Sequence, residues 1–303
     1  MNKDIFDLIG DILPKERIRK NEPMNVHTTF RTGGNADLFL MPENASQLSK
    51  LIKCFRDEKE DFFIIGNGSN LLVSDRGFRG VIIQITENFS GTEVKDLEIK
   101  AGAGALLSKI ADTALKNSLT GFEFASGIPG TAGGAMVMNA GAYGGEMKDV
   151  VKEVEVLDRE GSYLTLQNED MDFSYRNSAV REKGYIVLNV TFSLEKGDSE
   201  SISSKMKELA EKRREKQPLE YPSAGSTFKR PEGNFAGKLI MEAGLRGFTI
   251  GGARVSEKHC GFVVNAGGAT SDDIYNLIKE VQQKVRENSG IMLEPEVLMI
   301  GEF

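Results

Sequence analysis

Residues 66–70 have the side chains and spacing of an anion-binding loop. They read Gly66-Asn67-Gly68-Ser69-Asn70, and they lie between a short apolar stretch and Leu71. Glycine permits positive φ, and successive backbone N–H groups in such a segment can converge on a phosphate. A tight β-turn is the alternative interpretation. Two glycines with Ser-Asn exceed what a hairpin usually needs, so we favour phosphate binding.

A second and longer segment of small residues lies near the middle of the chain. It runs from Gly127 through Gly130, Gly133 and Gly134 and continues to Ala142. A segment with so few large side chains is either disordered or has its backbone wrapped around a large planar or charged ligand. Apolar residues flank the segment on both sides, which argues against disorder.

Two familiar phosphate-binding motifs are absent. Gly102-Ala103-Gly104-Ala105 follows a predicted strand, but it lacks the third glycine of the dinucleotide fingerprint G-x-G-x-x-G. No G-x-x-x-x-G-K-[ST] occurs either. Any phosphates must therefore be bound in another way.

Composition narrows the class of protein. The 303 residues carry a formal net charge of −7, whereas a nucleic-acid-binding protein normally has a basic face. The one basic run, Lys212-Arg213-Arg214, fits a solvated helix face and a phosphate-binding site about equally well. Two cysteines without a CxxC and two histidines indicate neither a disulfide framework nor a metal site.

The N-terminal sequence predicts no targeting segment. Asp4, Asp7 and Asp11 interrupt it, so it lacks the apolar core of a signal peptide. No apolar run approaches the length needed to span a membrane. We therefore expect a cytoplasmic protein without membrane insertion.

The elements that would position the first loop are mainly strands joined by loops, with occasional helices. Apolar spacing predicts helices at residues 5–12, 44–59 and 105–117, and strands at 37–41, 62–65, 81–85 and 97–101. Further strands are predicted at 150–157 and 185–194. This order is typical of an α+β protein, or of an α/β protein with irregular crossovers.

The second half has its own pattern. Residues 195–204 are polar and predict a linker, and charged residues 201–216 predict a helix. Another helix has a clean apolar stripe at Ile274, Leu277, Ile278, Val281 and Val285, with a start at Ser271. A final strand is predicted at 291–300. We place the main domain boundary near residue 200.

Several motifs in combination resemble a known family. GNGSNLLVSDRGFRG and EFASGIPGTAGGAMVMNAGAYGGE are similar to the FAD-binding domain of the vanillyl-alcohol-oxidase (PCMH) superfamily. With MDFSYRNS, YPSAGSTFKRP, GKLIMEAGLRG and LEPEV, the chain resembles the UDP-N-acetylenolpyruvoylglucosamine reductase (MurB) family from about residue 20 onward. The compact connection after Ser226 resembles the shorter, type II form of that family.

The resemblance implies a fold and a set of ligands. It implies an α+β protein with a two-lobed FAD-binding domain at 1–200 (lobes about 1–85 and 86–200) and an α/β substrate-binding domain at 201–303. The implied cofactor is noncovalent FAD, reduced by NADPH, with UDP-N-acetylglucosamine enolpyruvate as substrate and no nucleic acid as partner. The implied FAD-binding residues are Gly66, Asn67, Gly68, Ser69, Asn70, Leu71, Gly127, Ile128, Pro129, Gly130, Thr131, Gly133, Gly134, Asn139, Ala140 and Gly141.

Three residues match the catalytic set of the family. Ser226 of AGSTF matches the proton donor, although a turn serine after glycine would be the ordinary interpretation. Arg176 of SYRNS matches the residue that binds the enolpyruvyl carboxylate, for which its planar fork is suited. Glu296 of LEPEV matches the third member, and a glutamate there implies a pKa raised by burial. Glu294 lies two residues earlier, on the same face of a strand, and is the alternative candidate for this role.

Further matches concern substrate binding. Tyr175 matches a tyrosine that contacts substrate, and Lys216 matches a lysine that holds the diphosphate. Thr32, Gly33 and Gly34 fit either a contact to the flavin edge or a plain turn. His27 could anchor flavin covalently, as in some superfamily members, but the noncovalent form is favoured.

Two other functions fit parts of the sequence. Another FAD-dependent oxidase or dehydrogenase of the superfamily would share the glycine loops but would lack the Ser226, Arg176 and Glu296 set. A non-catalytic module that binds a sugar nucleotide is the alternative from a different class of protein.

Overall fold

The chain folds into two compact units. The computed structural model describes residues 3–303. Of these, the first unit takes residues up to 19, with 38–67 and 80–213, and the second takes 20–37, 68–79 and 214–303. Both units contain helices together with mainly antiparallel strands, which confirms the α+β class.

The described residues form eight α-helices and eighteen strands. The helices are α1 Lys3–Ile12, α2 Ala45–Glu58, α3 Leu107–Lys116, α4 Ala132–Met138, α5 Ala179–Lys183, α6 Ser199–Lys216, α7 Ala236–Glu242 and α8 Ser271–Ser289. The strands are β1 Ile18–Pro23, β2 Asn35–Leu40, β3 Phe62–Ile65, β4 Leu71–Val73, β5 Phe78–Gln84, β6 Thr92–Lys95, β7 Glu98–Gly102, β8 Leu119–Thr120, β9 Gly141–Ala142, β10 Gly145–Glu146, β11 Val151–Leu157, β12 Tyr163–Gln167, β13 Ile186–Ser193, β14 Glu195–Lys196, β15 Thr249–Ile250, β16 Ala253–Val255, β17 Val263–Asn265 and β18 Leu298–Ile300.

Antiparallel pairing dominates the first unit. Its largest sheet has the order β12-β11-β13-β7-β6, with every neighbouring pair antiparallel. A four-stranded sheet has the order β1-β2-β5-β3, and in it β3 runs parallel to β5. The chain passes between the two units within β1, β2 and β5.

Helix α2 begins and ends within one residue of the predicted bounds. Asn44 caps α2 by accepting a hydrogen bond from the Gln47 N–H at 3.0 Å, and Lys59 closes it in the left-handed conformation. The predicted apolar face of α2 is buried: Leu48, Leu51, Ile52 and Phe55 all belong to the core of this unit. The predicted strand at 62–65 coincides with β3.

The second unit is built around α8 and short strands. Strands β15-β16-β17 form an antiparallel sheet, and β4 pairs in parallel with β18. The apolar stripe of α8 is buried in this core, as predicted. A capping box between Thr270 and Asp273 starts the helix, and Gly290 ends it at φ 74°.

Two sequence predictions were wrong in detail. The proposed linker at 195–204 contains β14, which pairs with β8, and the beginning of α6. Its polar residues serve as a helix start, because the Asp198 carboxylate accepts from both the N–H and the hydroxyl of Ser201. The proposed strand at 291–300 is regular only at Leu298–Ile300. Pro295 offers no backbone donor and makes only an isolated bridge with Phe228.

The proposed domain boundary and the change of compact unit fall at different points of α6. Residue 200 is at the start of α6, whereas the change of compact unit follows Arg213, near the end of the same helix. The second unit also includes residues 20–37 and 68–79, which precede the proposed boundary. The division into FAD-binding and substrate-binding domains remains a prediction about function.

The described residues contain no helix that is both long and apolar enough to cross a bilayer. Within the same residues there is no group of His, Cys, Asp and Glu that could hold a metal ion, and Cys54 and Cys260 are free thiols.

Candidate functional site

The two glycine loops meet in the first unit. Gly66 follows β3 directly, and a Cβ built on it would lie 2.5 Å from Oγ1 of Thr131, so the contact requires glycine. The Asn67 amide donates to the carbonyl of Pro129 at 3.3 Å. The structure thus brings together two segments that the sequence singled out separately.

Thr131 has a second role in this contact. As the N-cap of α4, it accepts a hydrogen bond from the Gly134 N–H through Oγ1 at 3.4 Å. The same oxygen faces Gly66. Thr131 therefore caps α4 and packs against the loop after β3.

Part of the second loop binds protein through its backbone. The N–H groups of Ala132 and Gly133 donate to the carbonyls of Ala105 and Ala103, at 2.9 and 2.8 Å. The N–H of Gly133, a predicted cofactor residue, joins α4 to the segment before α3. Hydrogen-bond partners so distant in sequence could not be read from the loop itself.

Asn139 ends α4 in a left-handed conformation and is 1% exposed. Its amide donates to Oε2 of Glu146 at 2.7 Å and to the carbonyl of Ser174 at 3.2 Å, while its oxygen accepts from the Lys148 N–H at 3.0 Å. Both amide hydrogens are thus used within the protein. The predicted cofactor residue Asn139 holds the segment that precedes Tyr175.

Tyr175 and Arg176 form the tip of a tight turn in the first unit. Ser174 and Asn177 close it with reciprocal backbone hydrogen bonds of 3.1 and 3.2 Å. Tyr175 is half exposed, and the Arg176 guanidinium lies over its ring at 5.2 Å from the centroid. Arg176 has φ 56°, a strained conformation for arginine that is common at functional sites.

Ser226 and Glu296 belong to neighbouring segments of the second unit. The Glu296 N–H donates to the carbonyl of Thr227 at 2.8 Å, one residue after Ser226. Thr227 is fully buried, and its hydroxyl accepts from the Val263 N–H. Ser226 itself is exposed. The backbone thus brings the predicted proton donor close to the predicted glutamate.

Glu294, the rival of Glu296, has a different environment. Its side chain is 68% exposed and forms an ion pair with Lys229. Glu296 is half buried, and its carbonyl accepts from the Asn70 amide at 3.0 Å. These environments favour Glu296 over Glu294. They also give Asn70, predicted as a cofactor residue, a role in positioning Glu296 that the sequence did not indicate.

Several other predicted residues lie in the second unit. Leu71 opens β4 and is buried, and the Thr29 N–H donates to the Gly68 carbonyl at 3.2 Å. Thr32 is buried and accepts from the Ser271 hydroxyl, which supports the plain-turn interpretation of this segment. Nε2 of His27 lies 2.9 Å from the Glu22 carboxylate. Lys216 is the exposed last residue of α6.

Arg213 is a further cation close to the second glycine loop. Burial lowers the pKa of the Arg213 guanidinium, and nearby Tyr143 opposes the shift. The sequence placed Arg213 in a basic run without deciding between a solvated face and a phosphate-binding site.

Two family models match the chain. Residues 36–167 match an FAD binding domain, and residues 217–300 match the UDP-N-acetylenolpyruvoylglucosamine reductase C-terminal domain. The first range includes both glycine loops, Asn139 and Tyr143. The two matches together define an FAD-binding oxidoreductase.

Curated relatives specify the family. The UDP-N-acetylenolpyruvoylglucosamine reductase of Caldanaerobacter subterraneus subsp. tengcongensis is 54% identical over 100% of both chains. That of Clostridioides difficile is 52% identical over 99% of each. The chain belongs to the UDP-N-acetylenolpyruvoylglucosamine reductase family.

Solved structures agree on the fold. The UDP-N-acetylenolpyruvylglucosamine reductase of Thermus caldophilus has a TM-score of 0.79 at 34% identity, covering 94% of this chain and 98% of that one. The glucose dehydrogenase Phl p 4.0202 has a TM-score of 0.52 at 13% identity, covering 65% of this chain and 45% of its own, and it supports the fold alone. The resemblance seen in the sequence is confirmed.

Proposed function

We propose that this chain catalyses the NADPH-dependent reduction of UDP-N-acetylglucosamine enolpyruvate to UDP-N-acetylmuramate through enzyme-bound FAD. The observation that carries the proposal is 54% identity, over the whole of both chains, with a relative that bears the name of this reductase. The reaction is a step of peptidoglycan precursor synthesis. It belongs in the cytoplasm, where NADPH and nucleotide sugars are made.

The joined glycine loops would hold the cofactor. FAD supplies hydride transfer from NADPH to the substrate double bond. The chain's contribution is position and charge. Gly66 and Asn67, in contact with Pro129 and Thr131, present closely spaced backbone of the kind that approaches a dinucleotide.

Arg176 would bind the enolpyruvyl carboxylate. Its planar fork can donate two parallel hydrogen bonds to the two carboxylate oxygens. Addition of hydride to the terminal carbon of the double bond moves the electron pair onto the adjacent carbon and into this carboxylate. A fixed cation at the carboxylate therefore stabilises the charge as it develops.

Ser226 would donate the proton. Its hydroxyl proton passes from Oγ to the carbon adjacent to the carboxylate, and the serine regains a proton from solvent. A serine hydroxyl is a weak acid, but the substrate carbanion is far more basic. Gly225, at φ 75°, precedes Ser226 and sets the turn that exposes it.

Glu296 would act beside Ser226. Its backbone bond to Thr227 and the Asn70 amide at its carbonyl fix its main chain from both sides. Tyr175 would contact the substrate, and Lys216 would hold its diphosphate. The exposed ends of both side chains suit a ligand that must enter and leave.

The substitution Ser226→Ala tests the proton donor. We expect the variant to bind FAD and to be bleached by NADPH without oxygen at the wild-type rate, because neither event needs this proton. Reoxidation by the enolpyruvyl sugar nucleotide should slow by at least about 100-fold. Stopped-flow absorbance of the flavin measures both half-reactions separately.

A matched control is Ser204→Ala, an exposed serine in α6. It should leave both half-reactions unchanged. A Ser226→Ala enzyme that is reoxidised by substrate as fast as wild type would remove Ser226 from the catalytic set.

A further inference from the structure

Helix α6 carries an arginine where its pattern calls for an apolar residue. Ile202 and Leu209 are buried, and Met206 packs against the core of the first unit. These positions follow helical spacing, and the next in the series is Arg213. The helix therefore directs a cation to the side on which it buries its apolar residues.

The charge of Arg213 is poorly compensated within the protein. Its Nη1 is shielded from solvent and makes no hydrogen bond to any residue among 3–303. Desolvation accordingly lowers the pKa of the guanidinium, which nevertheless stays protonated in proteins. A buried donor left unsatisfied is costly, and a charged one more so. Such an arrangement is expected where a ligand supplies the acceptor.

The guanidinium lies against the second glycine loop. A Cβ built on Gly127 would lie 3.0 Å from Nη1 and 3.1 Å from Cδ of Arg213. The absence of a side chain at Gly127 thus admits the arginine to the beginning of the loop. Gly127 lies inside the range that matches an FAD binding domain, whereas Arg213 falls between the two matched ranges.

We propose that Arg213 is an FAD-binding residue, whose guanidinium donates to an oxygen of the cofactor beside Gly127. The inference rests on the proposed function, since it takes FAD to be the bound dinucleotide. Two parts of FAD offer this chemistry: the diphosphate, and the pyrimidine carbonyl of the flavin, which becomes electron-rich on reduction. The arginine fork matches the oxygen pair of a phosphate, and its fixed positive charge stabilises an electron-rich carbonyl oxygen.

Replacement by a neutral side chain of similar length separates a ligand-binding role from a structural one. Arg213→Met should weaken FAD binding by about 10- to 100-fold, the range expected for one charge-assisted hydrogen bond. The FAD-free protein should melt at the wild-type temperature or above, because an uncompensated buried charge has been removed. A purely structural arginine would instead lower the melting temperature of the FAD-free protein.

The measurement is the release of fluorescent FAD on dilution of the purified holoenzyme, with thermal melting of the FAD-free and FAD-saturated protein. Arg214→Met is the matched control, because it removes the exposed neighbouring charge of the same basic run. It should leave FAD affinity unchanged. Arg213→Lys should recover part of the affinity, since it keeps the charge without the fork.

Two further readouts identify the oxygen that Arg213 binds. If it is the diphosphate, affinity for ADP falls with that for FAD and the reduction potential of the flavin stays constant. If it is the flavin carbonyl, ADP affinity is unchanged and the potential becomes more negative, because the reduced form loses a stabilising cation.

Unchanged FAD affinity together with an unchanged potential in Arg213→Met would overturn the inference. So would loss of affinity accompanied by a destabilised FAD-free protein. A wild-type protein that binds no FAD would instead refute the proposed function, so the two failures are distinguishable.

Discussion

At the residue scale, Arg176 combines an unusual backbone conformation with the role proposed for it in substrate binding. Its φ of 56° is rarely adopted by arginine, and the turn that imposes it is closed by Ser174 and Asn177. The Asn139 amide holds this turn through the Ser174 carbonyl. The sequence predicted Arg176 through a resemblance and Asn139 as a cofactor residue. The sequence could not predict that Asn139 holds the turn that carries Arg176, because 35 residues separate Asn139 from Ser174.

Arg176→Lys should lower kcat/KM for the enolpyruvyl substrate by at least about 10-fold, because an ammonium cannot reproduce two parallel hydrogen bonds to a carboxylate. FAD content and reduction by NADPH should stay normal. Steady-state kinetics with flavin quantification measures these effects. Arg286→Lys, an exposed arginine in the last turn of α8, is the control and should behave as wild type. Wild-type kcat/KM in Arg176→Lys would exclude a bidentate role.

At the element scale, the start of α8 was predictable because capping is local. The capping box of Thr270 and Asp273 spans four residues and is readable in the sequence. The pairing of β18 with β4 was not predictable, because it joins Leu298 to Leu71 across more than two hundred residues. The beginning of α6 was misread as a linker because solvated helix starts and linkers share a polar composition.

Asp273 predicts a pH dependence of this cap. Burial alone would raise the pKa of its carboxyl, but hydrogen bonds from the N–H groups of Thr270 and Gly252 outweigh it, so the pKa lies below its ordinary value. A carboxyl whose pKa is lower in the folded state adds stability above its unfolded-state pKa of about 4. That stability is lost as the pH falls through the folded-state pKa.

Asp273→Asn should therefore lower the free energy of unfolding at pH 7 by about 1 kcal/mol. The difference from wild type should shrink as the pH falls below about 4. Urea unfolding at several pH values measures it. Asp272→Asn removes an exposed neighbouring carboxylate and leaves the capping box intact. It should therefore lower the free energy of unfolding by less than Asp273→Asn does. A cost for Asp273→Asn that stays constant from pH 7 to pH 3 would contradict the assignment.

At the scale of the whole molecule, the sequence predicted the α+β class and the family but not the compact units. Residues 20–37 and 68–79 belong to the same compact unit as residues 214–303. Within the second unit, the Asn70 amide meets the Glu296 carbonyl and the Asn265 amide meets the Phe30 carbonyl. Contacts between residues so distant in sequence are set by tertiary packing, and the periodicity of apolar residues does not predict them.

The most direct test of the account uses the wild-type protein and two additions. Under anaerobic conditions, NADPH should bleach the yellow purified enzyme, and UDP-N-acetylglucosamine enolpyruvate should then restore its absorbance with formation of one UDP-N-acetylmuramate per flavin. A flavin that is bleached by NADPH but is not reoxidised by this substrate, or a protein that cannot be loaded with FAD, would contradict it.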